Sequence, residues 1–156
     1  MTYLRGASLL DILGVYDGVC QDERDEIAAV GHSIDPSEVA ATLWKGAVRY
    51  TIADGDTHQA LAILGGYPIV SGVWRLYMLC RSDAWERSGK EISLLTGHTL
   101  AESFKALGAT RFEVLCLSRR LLAQRWYVKL GFVKETDLAG YGAEPFSMYV
   151  YTGEKT

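Results

Sequence analysis

The sequence predicts an α/β fold with a mixed β-sheet, and three observations favour it. The first half contains short apolar segments separated by glycine-containing turns, which is typical of an antiparallel meander. The second half alternates apolar segments with amphipathic helical patterns, which is typical of parallel strands joined by crossovers. The chain has 156 residues, 49% of them hydrophobic, which is enough for one domain with a core. We therefore expect a single domain over residues 1–156, with an N-terminal meander and a β-α-β-α C-terminal half.

Composition excludes several classes of function. The net charge is −3 and the charged fraction is 22%, so neither a nucleic-acid partner nor a disordered chain is expected. The chain has no membrane-spanning apolar run and no signal-peptide pattern. Cys20, Cys80 and Cys116 are too widely spaced for a disulfide framework or a metal site, so we expect no metal. Such cysteine usage is typical of a reducing, cytoplasm-like compartment.

The N-terminal segment predicts one strand and two helices. Residues 3–5 form a candidate first strand. Ser8 can cap the next helix, with Asp11 at its third position. The acidic residues after position 21 predict a short helix through residue 30, and Gly31 can end it.

A third helix is predicted at Asp35. Asp35 can act as the cap, Pro36 suits the first turn, and Glu38 can complete a capping box. The end of this element, near residues 50–53, is ambiguous between helix and strand.

Glycines divide the meander. Gly65-Gly66 predicts a tight hairpin turn, and Gly72 allows a second reversal. The segment before Cys80 is apolar on both faces, as a buried central strand should be. The meander strands are predicted at residues 59–64, 67–71 and 73–80.

The C-terminal half carries stronger helix signals. Ser88 and Glu91 form a capping box, and Gly108 can end that helix. Ser118 can cap the next helix, which Gly131 can end. The remaining strands are predicted at residues 111–117, from residue 132 onwards, and at 146–151.

The turn over residues 81–90 is the first candidate site. A helix N-terminus attracts phosphate through its free N–H groups and its dipole. Gly89 would let the backbone approach a ligand, while Arg87 and Lys90 add positive charge beside Ser88. The alternative is an ordinary capped helix with solvated cations.

Tyr127 is the second candidate. A tyrosine hydroxyl can donate a proton to a leaving thiolate. The alternative is a core or interface aromatic beside Trp126. Cys80 and Cys116 fall on predicted buried strands, where inert packing is expected.

The segment from Arg125 to Phe132 resembles the GNAT superfamily of acyl-CoA-dependent N-acyltransferases. Members often place a tyrosine near the end of the last main helix, followed by a leucine-glycine-phenylalanine step into the next strand. Tyr127, Leu130 and Gly131 match this pattern together with Phe132. The resemblance implies that acetyl-CoA binds between the two central strands, that the 87–90 turn holds its pyrophosphate, and that Tyr127 protonates the coenzyme A thiolate.

The sequence departs from the family pattern at two places. Counting from Arg87, the two small-residue positions of the family's pyrophosphate loop hold Lys90 and Ile92. The central strand lacks an acid that could act as general base, and the nearest substitutes along the chain are Asp83 and Glu113. These departures predict a weakened acyl-CoA site.

A narrower resemblance points to a non-catalytic role. The segment 66–69, Trp74, Trp85 and the 125–126 and 131–132 pairs are similar to GNAT-like internal virion (core) proteins of short-tailed phages. That resemblance implies self-assembly or virion-protein partners, and a location in the host cytoplasm or the virion.

Three functions follow from these patterns. The preferred one is a phage-type GNAT-like protein used for structure or host interaction. The alternative is an active acetyl-CoA-dependent N-acetyltransferase that transfers directly to a small amine or a protein amine. The third is a ligand-binding or partner-binding module that shares the fold.

Overall fold

The computed structural model describes residues 1–153 and shows strands and helices in the predicted alternation. The strands and helices, in chain order, are β1 (Thr2–Gly6), α1 (Leu9–Asp17), α2 (Gln21–Ala29), α3 (Pro36–Trp44), β2 (Val48–Asp54), β3 (Ala60–Val70), β4 (Val73–Cys80), α4 (Ser82–Ala106), β5 (Arg111–Leu117), α5 (Leu121–Lys129), β6 (Val133–Leu138) and β7 (Phe146–Tyr151).

The strands form one seven-stranded sheet in the order β1-β2-β3-β4-β5-β7-β6. Strands β1 to β4 are an antiparallel meander, and β5, β7 and β6 are also paired antiparallel. Strands β4 and β5 pair in parallel. The mixed α/β sheet with an N-terminal meander is therefore confirmed.

Helices cover both faces of the sheet. Leu79 of β4 packs with α1 and α3, and Leu117 of β5 packs with α2. Phe112 and Val114 point to the opposite face because side chains alternate along a strand, and there they pack against Leu100 of α4. The sheet thus separates an α1–α3 face from an α4–α5 face.

The predicted caps of the first and third helices are confirmed. The Ser8 hydroxyl accepts a hydrogen bond from the Asp11 N–H, and the Asp11 carboxylate accepts one from the Ser8 N–H. Asp35 accepts a hydrogen bond from the Glu38 N–H. The ambiguous segment around residues 50–53 lies inside β2.

The predicted hairpin turn at Gly65-Gly66 is wrong. Strand β3 runs through both glycines without interruption, and the reversal lies at Ser71-Gly72, where Gly72 has a φ of +79°. Gly65 pairs with Tyr77 across the sheet, and a Cβ on Gly65 would lie 2.2 Å from the Tyr77 ring and hydroxyl. The glycine makes room for a tyrosine on the neighbouring strand and does not turn the chain.

Two predicted helix starts are also wrong. Helix α4 begins at Ser82, and Ser88 marks an internal kink with φ −132° and ψ 17°. Helix α5 begins after Arg120, whereas the Ser118 hydroxyl shares a hydrogen bond with Ser147 at 2.8 Å. In both cases a local capping pattern was present, but tertiary contacts decided the boundary.

Candidate functional site

The centre of the sheet opens between β4 and β5. The two strands pair over Val73–Arg111, Trp74–Phe112 and Arg75–Glu113 only. Beyond that point β4 continues to Cys80 and β5 to Leu117 without a further pair between them. Apart from the buried Leu79, the residues of β4 are only partly buried, although the sequence predicts a fully buried strand.

An apolar cleft of about 70 Å³ lies over this opening on the α4–α5 face. Leu76 and Met78 of β4 and Val114 of β5 form its floor. Thr96 of α4 and Tyr127 of α5 line its helical side. The cleft can accept a narrow, mostly apolar chain.

Tyr127 is held in this cleft by aromatic contacts. Its ring lies 5.6 Å from Trp126, 5.7 Å from Phe132 and 6.1 Å from Tyr149, measured between ring centroids. The Tyr127 hydroxyl has no hydrogen-bond partner within residues 1–153, and it is not among the fully enclosed polar atoms. Burial raises the pKa of Tyr127 well above its ordinary value, and Glu26 and Glu23 add to the rise. The hydroxyl is thus protonated at neutral pH and free to donate.

The predicted phosphate turn is helical. Arg87 lies in the first part of α4 and contacts Asp83, with 3.7 Å between the guanidinium and the carboxylate. Gly89 faces Trp85, whose ring would lie 3.4 Å from a Cβ on that glycine. Ser88 is the kink residue, and Lys90 is exposed. These four predicted ligands lie within two turns of one helix, but they do not form an open loop.

A shallow groove lies beside this kink, between α4 and α5. Gly89, Lys90 and Ser93 line one side, and Trp126 and Lys129 line the other. The Trp126 indole N–H donates a hydrogen bond to the Ser93 hydroxyl at 2.8 Å, which ties the two helices together. The groove therefore has an aromatic floor with a lysine from each helix at its rim.

The two predicted acids lie apart from Tyr127. Asp83 is 53% exposed and accepts a hydrogen bond from Arg81, which holds the pKa of Asp83 below its ordinary value. Glu113 lies on the α1–α3 face, since its neighbours on β5 face α4. Burial would raise the pKa of Glu113, but hydrogen bonds from Arg75 and Arg111 outweigh it and lower the pKa. Both carboxylates are engaged by arginines.

A second pair of acids lies at the end of the opening. Helix α2 places Glu23 and Glu26 beside the carboxyl end of β5. The Leu117 N–H donates to Glu26 Oε1 at 2.7 Å, and Arg120 donates from Nη2 to Glu23 Oε1 at 3.0 Å. Arg120 also hydrogen-bonds Glu26 through Nη1. The cluster of Glu23, Glu26 and Arg120 thus closes the α2 side of the opening.

Burial dominates the electrostatics of this cluster. It raises the pKa of Glu23 to about 7, against the attraction of Arg120 and with help from Glu26. The pKa of Glu26 is also raised by burial, while Arg120 opposes the rise. Burial raises the pKa of Cys80, at the end of β4, to about 12, and Glu23 contributes to that rise. Glu23 therefore lies within electrostatic reach of both β4 and the Tyr127 hydroxyl.

Sequence reasoning did not find Glu23 and Glu26. One signal was present, because Glu23 has helical i, i+4 and i+7 spacing with Ile27 and Val30. Ile27 packs with the α1 cluster, and Val30 packs against the cluster around Leu117. A glutamate on the apolar stripe of a short helix is an indication of a buried, perturbed carboxylate.

Other classes of site are not indicated in the described chain. Residues 1–153 contain no group of three or more potential metal ligands. None of the helices in that range combines the length and the apolar character needed to cross a bilayer. The three cysteines are free, and Cys116 is buried.

Solved structures resemble this chain in fold, although its sequence matches no known family. No protein-family model and no curated protein sequence matches the chain. A ribosomal-protein-S5-alanine acetyltransferase from Vibrio fischeri superposes with a TM-score of 0.72 at 15% identity, covering 98% of this chain and 93% of that one. A GNAT-family acetyltransferase from Bacillus anthracis gives 0.74 at 12% identity, with coverages of 99% and 96%.

A third structure agrees with these two. The ribosomal-protein-S18-alanine N-acetyltransferase from Escherichia coli gives a TM-score of 0.69 at 15% identity, covering 100% of this chain and 96% of that one. Identities at this level show a shared fold, and function must be argued from the site. The chain has the fold of the GNAT acetyltransferases.

Proposed function

We propose that this protein is an acetyl-CoA-dependent N-acetyltransferase that transfers the acetyl group directly to an amine. The observation that carries the proposal is the opening between β4 and β5, with the Tyr127 hydroxyl unbonded and protonated beside it. The fold shared with acetyltransferases supports it further. This function was the alternative in the sequence interpretation, and the cleft favours it over the preferred one.

The residues present fit an acyl-CoA in two of three respects. The apolar cleft over Leu76, Met78 and Val114 suits the narrow pantetheine arm. Lys90 and Lys129, at the rim of the α4–α5 groove, suit the coenzyme phosphates. The helical segment ahead of Ser88, with Trp85 against Gly89, fits the pyrophosphate less well than an open loop would.

Acetyl-CoA would supply an activated thioester. The protein would position the thioester and transfer the proton to the leaving sulfur. The β4–β5 opening would hold the reacting carbonyl away from bulk water. Tyr127 would donate its phenolic proton to the departing sulfur, and its raised pKa keeps the hydroxyl protonated at neutral pH until then. Cys80 and Cys116 are poorly suited as nucleophiles, because burial raises the pKa of both thiols and keeps them protonated.

A second candidate function is favoured by the α4 kink. The part of α4 before Ser88, together with Trp85, could prevent pyrophosphate binding. The protein would then have no catalytic activity and would act in an internal virion assembly or bind host proteins. That role requires a protein partner or self-association, and it requires no response to coenzyme A.

Ligand binding and one substitution separate the two candidates. Saturating acetyl-CoA should raise the melting temperature of the protein, and calorimetry should give one site per chain. A panel of peptides with an N-terminal alanine, polyamines and free amino acids should then reveal turnover by thiol release. Tyr127→Phe should lower kcat by about 10²-fold or more while leaving acetyl-CoA affinity unchanged.

Two results would contradict the enzymatic proposal or the role of Tyr127 in it. No thermal shift with acetyl-CoA or coenzyme A, combined with self-association in sedimentation experiments, would favour the non-catalytic role. Turnover that survives Tyr127→Phe at the original rate would remove Tyr127 from the mechanism.

A further inference from the structure

Glu23 and Glu26, the two glutamates of α2 that contact Arg120, differ in how many of their carboxylate oxygens accept hydrogen bonds. Both oxygens of Glu26 are engaged, Oε1 by the Leu117 N–H and Oε2 by Arg120. Glu23 uses only Oε1, which accepts from Arg120 at 3.0 Å. Its Oε2 has no hydrogen-bond partner within residues 1–153, and it is not fully enclosed, because 18% of the side chain is exposed. Glu23 therefore keeps a lone pair available to a ligand, whereas Glu26 does not.

The position of Glu23 relative to the sheet is also distinctive. Helix α2 packs on the α1–α3 face, whereas Tyr127 belongs to the α4–α5 face. The charge of Glu23 nevertheless contributes to the raised pKa of Tyr127, and the sheet is open where β4 and β5 part. Glu23 and Tyr127 therefore approach the end of the opening from opposite faces of the sheet.

We propose that Glu23 is the general base that accepts the proton of the acceptor amine, opposite Tyr127 as the acid. This inference rests on the proposed acetyltransferase function. Asp83 and Glu113, the acids expected from the sequence, are less suited because arginines contact both carboxylate oxygens of each and the pKa of each is lowered.

The proton balance of the step is complete with these two residues. The amine nitrogen attacks the thioester carbonyl carbon, so that a C–N bond forms and the C–S bond breaks. Glu23 Oε2 accepts a proton from the nitrogen, and the electron pair of the C–S bond leaves on sulfur. Tyr127 donates its proton to that sulfur, and solvent then exchanges a proton with each residue. No oxidant, reductant or metal is required.

The surroundings of Glu23 suit this role at neutral pH. A general base works best when its pKa lies near the working pH. Burial raises the pKa of Glu23 to about 7. The charged and titratable groups around it are Arg120 before α5, Glu26 and Asp22 on α2, Cys80 on β4, Cys116 on β5 and Tyr127 on α5.

Arg120 limits how far the pKa of Glu23 can rise. It is the one cation among these neighbours, and it opposes both burial and the repulsion from Glu26. Without it, Glu23 would hold its proton at neutral pH and could not act as a base. Arg120 is thus a positioning residue, while Glu23 contacts the amine.

The first test is independent of turnover. In protein labelled with ¹³C at the glutamate carboxyls, one resonance should titrate near pH 7, and it should disappear in Glu23→Gln. Acetyl-CoA affinity should be the same in this variant as in the unsubstituted chain, because Glu23 lies on the amine side. Titration of every carboxyl below about pH 5.5 would overturn the inference.

The second test is the pH profile of kcat at saturating amine and acetyl-CoA. The unsubstituted chain should show an acid limb with a midpoint near 7. Glu23→Gln should lower kcat by about 10²-fold or more and abolish that limb. Glu23→Asp should restore the limb with a lower plateau, which a purely structural role would not produce. The matched control is Asp25→Asn, on the same helix but exposed and paired with Arg119, which should leave the profile unchanged.

The outcomes separate this inference from the proposed function. Absence of acetyl-CoA binding and turnover in the unsubstituted chain would remove the proposed function, and this inference with it. Binding and turnover with an unchanged acid limb in Glu23→Gln would leave the function standing and overturn the role of Glu23 alone. If Glu23→Gln fails to fold, the Glu23→Asp profile and the carboxyl titration of the unsubstituted chain decide the question.

Discussion

Arg120 donates a hydrogen bond to Glu23 at 3.0 Å, and this contact joins two parts of the chain that are 97 residues apart. Only 12% of the Arg120 side chain and 18% of the Glu23 side chain are exposed. The pair therefore combines a long-range tertiary contact with charges that are mostly buried. Stability and acid–base behaviour should therefore both depend on it.

Arg120→Met should destabilise the protein by about 3 kcal/mol at pH 8, because two mostly buried carboxylates lose their cation. The loss should be smaller at pH 5, where the pKa of about 7 leaves Glu23 largely protonated. Urea unfolding at the two pH values measures the difference. Arg119→Met is the matched control, since Arg119 is 43% exposed and its removal should cost about 1 kcal/mol or less. An equal loss at both pH values would contradict the assignment.

Glu23 should make the protein less stable as pH rises. Its folded pKa of about 7 lies above the ordinary value of 4.5, so the native state binds more protons than the unfolded state between these values. The free energy of unfolding therefore falls across this window, and Glu23→Gln should remove a fall of about 3 kcal/mol. Denaturant titrations of both proteins from pH 4.5 to 8 test this. Parallel curves for the two proteins would show that Glu23 titrates at its ordinary value.

The limits of sequence reasoning are visible in particular elements. Strands β4, β5 and β7 have the bounds expected from their apolar runs, because a continuous run of apolar residues marks both ends of a strand. The Tyr127 motif was recognisable because all of its residues lie within positions 127–132. The Glu23–Arg120 pair was not, because only the folded chain brings α2 to the end of β5.

The errors share a second cause. Gly65-Gly66 and the Ser88–Glu91 pattern are strong local signals for a turn and a helix start, but neighbours distant in sequence override both. Tyr77 requires the glycine at position 65. At the other site, Arg81 and Ser82 donate backbone hydrogen bonds to Leu61 and Gly18, and so fix an earlier helix start. The local residue patterns are present at both sites, but the sequence does not show the distant contacts that override them.

Gly65→Ala should destabilise the protein by about 1–3 kcal/mol, because the added Cβ would lie 2.2 Å from the Tyr77 ring. Combining it with Tyr77→Leu should recover part of the loss relative to the sum of the two single variants. Gly14→Ala is the control, since nothing lies within 4 Å of its Cβ and alanine favours α1 by about 0.5–1 kcal/mol. Thermal and urea unfolding of all four variants measure these changes. Additive effects of Gly65→Ala and Tyr77→Leu would mean that the close approach is relieved elsewhere.

Lys90→Gln and Lys129→Gln should each weaken acetyl-CoA binding by about fivefold at low salt, because each removes one cation from the rim of the α4–α5 groove. The loss should shrink as salt is raised, since exposed charges are screened. Calorimetry at two salt concentrations measures both effects, and Lys105→Gln, near the end of α4 and outside the groove, is the matched control. Equal affinities for all three variants would mean that the coenzyme phosphates lie elsewhere. The two central strands could then still hold the acyl group, because the cleft over β4 and β5 contains neither lysine.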